Sequence, residues 1–351
     1  MRLLKQISVC TFYILLGMAG MAQQALPVKL VKEAEAKAVD VFIGGKLFTR
    51  FIYPDTLEKP VLYPLFAANG SAITRGFPLH PVPGDPTDHP HHIGLWFNFE
   101  NVNGLDFWNN SFAIPTEKKS SYGWIKTTGT PQMSNGSQGT LRYQANWDNQ
   151  QNEVLLTETT EFTFSGNSSR RIVDRTTTLT ANTDVLFKDA KDGLLGLRVA
   201  HALQMPSKQD QKFTDDKGNV TVVKAGTDNI PNGNYLTSEG KQGDDAWSTR
   251  GSWCKLYGKL GTDSVSIVIF DHPSNPNYPT YWHARGYGLF AANPLGENIF
   301  TNGKSTKNLQ LKKGESVTFR YRILIDNSTH TPDAGELGRL AAQFGSEAVK
   351  K

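Results

Sequence analysis

The strongest constraint on how this chain folds is its set of long segments with alternating side chains, against almost nothing that repeats at helical spacing. In Ser316–Leu324, Val317, Phe319, Tyr321 and Ile323 fall on one side, and Thr318, Arg320 and Arg322 on the other. That is the period-two pattern of a strand. In Arg170–Thr180 one face carries Ile172, continued by the β-branched polar residues Thr176, Thr178 and Thr180. Val39–Ile43 and Lys46–Tyr53 flank Gly44-Gly45, a two-residue hairpin signal. Further strands are predicted in Leu62–Ala67, Ile93–Phe99, Tyr122–Thr128, Thr140–Asp148, Leu155–Phe164, Leu194–Leu203, Ser252–Lys259, Ser264–Phe270, Tyr281–Phe290 and on to Asp326. Many long strands separated by loops, with no boundary in composition, predict an all-β fold of two sheets in one domain, residues 23–351. Only the C-terminus reads as helix. Thr331 is placed to cap it, Pro332 fits the first turn, and Leu337, Leu340, Ala341 and Phe344 form an apolar stripe. Met205–Ala246 is polar and reads as a long connection, either a lid or a surface insertion.

The first residues carry Arg2 and Lys5, then an apolar run from Ile7 to Ala19, then small residues ending at Ala22. This is the pattern of a secretory signal, residues 1–22, and it predicts a periplasmic or secreted protein. The run is too short to span a bilayer comfortably, and no later segment reaches 18 apolar residues, so no membrane span is expected after cleavage. Cys10 leaves with the signal. Cys254 is then the one remaining thiol, and an internal disulfide is excluded. Basic and acidic residues number 37 and 33. Losing Arg2 and Lys5 lowers the net charge from +4 to +2, which gives no sign of a nucleic-acid partner.

Chemistry concentrates in two segments. Asp88-His89-Pro90-His91-His92 holds three of the eight histidines just ahead of an apolar run. Imidazoles crowded like this repel on protonation, and each needs a polar partner, so such a cluster suits a metal, proton transfer or a polar ligand. A solvated loop leading into a strand is the alternative. In an extended backbone His89 and His91 would point together, with His92 opposite. A site for one divalent metal ion would draw on His89, His91 and the distant His283.

The second segment, Tyr281-Trp282-His283-Ala284-Arg285 through Asn293-Pro294, sets imidazole, guanidinium and aromatic rings along one predicted strand. Aromatic faces stack on sugar rings, while Arg and His reach hydroxyls. Asp192, in the turn Lys191-Asp192-Gly193 ahead of Arg198, can act as a base or simply close the turn. Trp247, Arg250 and Trp253 lie close in sequence and can form a rim. Cys254 reads as buried packing.

Taken together, Asp88 to His92, Gly94-Leu95-Trp96-Phe97, Val102 to Trp108, Lys191-Asp192-Gly193 with Arg198, and Tyr281 to Arg285 resemble the signature of the PmoA-like family, from about Val39 to Asp326. The methane oxygenase label attached to that family does not suit a chain without membrane spans. The family's domain is also similar to the galactose-mutarotase-like β-supersandwich. That likeness implies a small-molecule carbohydrate ligand on the larger sheet, with histidine as acid and a carboxylate as base. Members of the PmoA-like family usually carry an acid where Gly286 stands and often Glu where Asp192 stands. The chain departs from the pattern at both, and the second change keeps the carboxylate. The resulting expectation is an exported protein acting on sugars: an epimerase, lyase or hydrolase, or else a non-catalytic binding protein or a metal-dependent enzyme. The expected catalytic residues are His91, His92, Asp192 and His283. The expected binding residues are Asp88, Trp96, Arg198, Arg250, Tyr281, Arg285 and Asn293. Protein recovered from the native cell envelope should begin near Gln23 on N-terminal sequencing, and an intact Met1 on cytoplasmic protein would overturn the expectation of export.

Overall fold

The computed structural model describes residues 24–347, apart from 84, 208–209, 215–219 and 224–230. The signal read from Met1–Ala22 lies outside the described residues. Two eight-stranded antiparallel sheets form the molecule. The first runs, neighbour by neighbour, through Val28–Glu33, Ala38–Ile43, Lys46–Ile52, Val61–Leu65, Leu95–Phe99, Gly193–Arg198, Leu289–Asn293 and Tyr281–Ala284. The second runs through Asn234–Thr237, Trp253–Leu260, Asp263–Asp271, Ser316–Asp326, Arg170–Ala181, Val154–Gly166, Gly139–Asp148 and Trp124–Ser134. No helix among the described residues is long and apolar enough to cross a membrane.

The sheets face each other across one apolar layer. Leu95, Phe97 and Phe99 of the first sheet meet Trp147, Phe162, Phe319 and Tyr321 of the second. Ser316–Asp326 delivers Phe319, Tyr321 and Ile323 to this layer as its alternation predicts. Arg170–Ala181 does the reverse of what its Ile172 face suggested. Arg171, Val173, Arg175, Thr177 and Leu179 are the buried set, and Ile172 packs outward beneath the C-terminal helix. The reason is a polar knot inside the layer. The Glu158 carboxylate accepts from Tyr143 Oη at 2.6 Å, Trp147 Nε1 at 2.9 Å, Thr160 Oγ1 at 2.6 Å and Arg175 at 2.8 Å. The Arg175 guanidinium also lies 4.7 Å from the ring centre of Phe97 and 5.0 Å from that of Phe162. An arginine can face a core when its charge is met this fully.

Other differences are local. Tyr281–Phe290, read as one strand, is a hairpin that turns between Ala284 and Leu289, where Gly288 has φ +93°. The strand from Leu194 ends at Arg198 and a short 3-10 turn follows at His201–Leu203. Part of the polar connection supplies the edge strand Asn234–Thr237, too short for its alternation to register. The C-terminal helix is Ala334–Ser346. Its cap is Asp333, which accepts from the Glu336 amide at 2.7 Å, and not Thr331. Leu337 and Phe344 bury its stripe. Cys254 is buried and unpaired.

Replacing Glu158 with Ala leaves Arg175 buried without its acid. It should cost about 3–5 kcal/mol in urea denaturation. A loss under about 1 kcal/mol would show that the knot does not hold the sheets together.

Candidate functional site

The segment entering the first sheet is folded around Arg75, which sequence reading passed over. Its side chain is fully buried and donates to Pro86 O at 3.2 Å, Asp88 O at 2.7 Å, Asp88 Oδ1 at 2.9 Å, His89 O at 3.0 Å and His92 O at 3.2 Å. Arg198 arrives from the neighbouring strand. It donates to both Asp88 oxygens, at 2.8 and 3.0 Å, and contacts His92 Nδ1 at 3.2 Å. Burial, then the charge of Arg198, pushes Arg75 down to about 9, while Asp88 works the other way. For Asp88 burial opposes ionisation, yet the His89 hydrogen bond and the two guanidiniums hold it well below the usual carboxylate range.

So constrained, the histidines do not alternate as an extended segment would. His89 takes φ +48°, and the His92 amide returns to His89 O at 3.0 Å. The His89 ring therefore stacks on His92, with centres 4.8 Å apart and planes 4° apart. Its nearest partner by hydrogen bonding is the Asp88 carboxylate. His91 meets His92 edge-on at 4.3 Å, and His92 stacks on Trp96 at 5.2 Å. Gly94 turns the chain into the strand at φ +56°, where a Cβ would come within 2.1 Å of Leu62 O. No other residue fits there.

The site lies on the face of the first sheet turned away from the second. Trp96, Gly196, Ala291 and His283 are direct register partners across four adjacent strands. At about 4.8 Å per strand, Trp96 and His283 lie roughly 14 Å apart. The two residues between them are small. A Cβ on Gly196 would strike Trp96 at 2.4 Å and Trp108 at 2.8 Å, so the indoles lie directly over this row. The tip of the hairpin closes the other side. Tyr287 stacks on His89 at 5.1 Å, and the Arg198 guanidinium lies 5.0 Å from its ring centre. Arg285 is exposed and sits 5.5 Å from the ring centre of Trp247 and 5.9 Å from that of Tyr287. Two motifs some 190 residues apart in sequence thus touch directly.

Asp192 and His283 face each other at the far end of the row, with Oδ1 and Nδ1 3.4 Å apart but not aligned as a hydrogen bond. Burial pushes Asp192 up to about 6; Lys191, 3.4 Å away, pulls it back, and Glu100 adds to the rise. Burial, then Lys191 and Arg285, pushes His283 down to about 3. His283 is therefore neutral near pH 7, and the contact is not an ion pair. His91 and His92 are neutral as well. Burial lowers both far below the ordinary range, helped at His91 by Lys59 and at His92 by His91 and Arg198. Burial carries Tyr287 up to about 12, with Asp192 and Asp88 outside the two arginines that oppose it.

The chain matches a family model over residues 38–341, described as a family of unknown function, DUF6807. The chain belongs to DUF6807. Nothing in that match supports the PmoA-like resemblance. No curated protein matches the sequence. Similar solved structures include an α-galactosidase from Geobacillus stearothermophilus and a galactose mutarotase-like protein from Clostridium acetobutylicum. The first is 8% identical with TM-score 0.39, covering 86% of this chain and 41% of its own. The second is 10% identical with TM-score 0.35, covering 86% and 99%. The DUF6807 chain thus spans about two fifths of the galactosidase. Scores this low carry no argument about activity, and the architecture rests on the two sheets themselves.

Several expected roles change in this DUF6807 fold. Asp88 and Arg198 neutralise each other and shape the loop. Arg250 bonds Pro279 O at 2.8 Å and Asn277 O at 2.7 Å, which makes it a brace for that loop. Asn293 Nδ2 donates to Ala190 O at 2.9 Å and Lys191 O at 2.8 Å, and its Oδ1 accepts from the Leu295 amide at 2.9 Å, so it positions the Asp192 turn. Tyr281 stacks on Phe300 at 5.3 Å and underlies the site. Trp253 packs beneath the C-terminal helix and is no rim residue. A buried imidazole that is neutral at pH 7 is not the acid assigned to His91 or His92, although its N–H still donates. The metal set His89, His91 and His283 does not form. Among the described residues no three His, Cys, Asp or Glu side chains are placed to hold an ion, because His89 is turned into its stack and its Asp88 bond. Where the family resemblance implies an acid at Gly286, Asp244 Oδ1 lies 3.7 Å from the position a Cβ would take.

The raised Asp192 has a consequence for stability. Its folded pKa, about 6, exceeds the ordinary aspartate value of 3.8. The stability it contributes below pH 4 is lost as pH rises through 6. Asp192→Asn should therefore be more stable than the wild type at pH 7, by about 2–3 kcal/mol, with the gap closing near pH 4. Equal unfolding midpoints at both pH values would remove Asp192 as a strained, proton-exchanging group.

Proposed function

We propose that this DUF6807 protein is an exported, carbohydrate-active enzyme that moves a proton on a sugar substrate. The observation that carries this reading is the Asp192–His283 pair: a buried carboxyl poised near neutrality beside an imidazole kept neutral, at one end of a floor lined by Trp96, Gly196 and Ala291. A general base works best with a pKa near the working pH. Asp192 takes the proton and returns it. Neutral His91 and His92 offer N–H groups to substrate oxygens, and Tyr287, half-buried at the hairpin tip, packs against the ring.

Isomerisation and elimination need only the Asp192–His283 pair, whereas hydrolysis would call on Glu100 or Asp106, both pushed up by burial. Hydrolysis by paired carboxyls needs a second group able to give a proton. Asp88 stays ionised between two arginines. Glu100 accepts the Asp192 amide at 3.0 Å, and Asp106 accepts the Asn109 amide at 2.9 Å.

The test is proton NMR of a panel of aldoses, uronates and glycosides incubated with the protein in D2O. At least one sugar should exchange a carbon-bound hydrogen or give a new product, and Asp192→Asn should slow this by about 10²–10⁴-fold. Measurable binding with no exchange or product from any sugar would leave a carbohydrate-binding protein in place of an enzyme.

A further inference from the structure

Lys59 is the odd cation of this fold. It is 2% exposed. Its ammonium lies 5.8 Å from the ring centre of Trp96, and its charge is felt at His91. Among the described residues every other buried cation makes at least one hydrogen bond, although the Nε–H groups of Arg75, Arg198 and Arg320 have no partner. Arg75, Arg175, Arg198 and Arg320 bond side chains or carbonyls, and Arg171 and Lys255 bond carbonyls. Lys59 has no hydrogen-bond acceptor among the described residues. Two acids act on it only through space, and both are engaged elsewhere. Glu58 pairs with Lys119 at 3.6 Å, and Asp106 accepts from Asn109. The Trp96 face offers an ammonium partial compensation, but not the oxygen that its three N–H groups require.

The surroundings of Lys59 share this imbalance. The indole N–H groups of Trp96 and Trp108 are buried without acceptors. The two rings lie 5.1 Å apart, at the same end of the row as Lys59. Buried donors are normally satisfied. Unpaired indole N–H groups also occur at Trp247 and Trp282, and Asn98 Oδ1, two residues on from Trp96, is an unpaired acceptor. It is therefore the buried ammonium beside two unpaired indoles that marks this end for an incoming acceptor. A neutral sugar hydroxyl supplies one lone-pair oxygen and brings a donor of its own. An anionic group supplies only acceptors, and a desolvated ammonium binds it more strongly than it binds a hydroxyl.

We infer that Lys59 is the anion-binding residue of this site and that the substrate is an acidic sugar, one carrying a carboxylate or a sulfate ester beside the Trp96–Trp108 pair. The inference rests on the carbohydrate reading above and narrows it to a substrate class.

Titration calorimetry on the mature protein can compare glucose with glucuronate, galactose with galacturonate, and galactose with galactose 6-sulfate. One acidic sugar should bind at least about tenfold tighter than its neutral parent, the scale of one charge-assisted bond. Whether uronate or sulfate shows the preference identifies the source of the charge. In Lys59→Met the acidic-to-neutral ratio should fall to within about twofold, and Lys59→Gln serves if the methionine variant does not fold. The wild-type ratio decides by itself in one direction: acidic and neutral sugars binding alike would overturn the inference while leaving the carbohydrate reading intact. A preference that survives in Lys59→Met or Lys59→Gln, or that disappears only in Arg285→Met, would overturn the assignment to Lys59. Failure of every sugar to bind would overturn both readings together.

Discussion

The site depends on one carboxylate held by two buried guanidiniums. Asp88 draws Arg75 and Arg198 to itself from different elements, and Arg75 then gathers the carbonyls of Pro86, Asp88, His89 and His92. Two arginines this deep are tolerable because Asp88 meets their charge and their terminal N–H groups are bonded, although both Nε–H groups are buried without a partner. The same bonds dictate the path of the loop, so the histidines are placed by backbone capture and not by their own packing. Removing Asp88 would leave two like charges facing each other and release the loop that carries three imidazoles.

The rest of the site follows from sheet geometry. A sheet face offers a row of side chains at strand spacing, and here the row ends in Trp96 and His283 with Gly196 and Ala291 between. The small middle makes room for the Trp96 and Trp108 indoles, which lie over Gly196 and are themselves buried. The hairpin that carries His283 also carries Tyr287 at its tip, and it stacks on the histidine loop. One register therefore fixes both the floor and one wall. A slip of a single residue in Tyr281–Ala284 would exchange His283 for Trp282, which now fills the inter-sheet layer.

How much of this the sequence showed depended on the range of the interaction. The strands with long alternation were legible, and the histidine cluster and the segment after Tyr281 stood out by residue type. The fold brings the tip of that hairpin, Tyr287, onto His89 and leaves His283 at the far end of the row from Trp96. Arg75, Lys59 and Tyr287 were not legible. An isolated arginine or lysine in a sequence reads as solvated, and only the fold reveals that Arg75 bonds four carbonyl-bearing residues, or that Lys59 is buried beneath an indole. The hairpin at Arg285–Gly288 was hidden because aromatic and apolar residues continue through the turn. The buried face of Arg170–Ala181 was misjudged because Arg171 and Arg175 occupy it, and their acceptors lie on other elements.

Two buried polar networks in this molecule illustrate opposite uses of charge. Between the sheets, Glu158 receives four side-chain donors, and its partner Arg175 is bonded and stacked on both sides. That network is closed: it leaves no group in want of a partner, and it serves to register one sheet on the other. On the outer face of the first sheet the balance is left open. Asp88 meets the charge of Arg75 and Arg198 but leaves their Nε–H groups unpaired, the Trp96 and Trp108 indoles have no acceptor, and His283 Nδ1 lacks an aligned partner beside Asp192. Folding alone would favour filling such places with apolar side chains. Unpartnered buried atoms occur elsewhere too, at Thr49, Asp148, Trp282, Arg320 and Tyr321 among others. What sets the outer face of the first sheet apart is a buried ammonium lying over one of its unpaired indoles, the imbalance that the proposed acidic ligand would relieve.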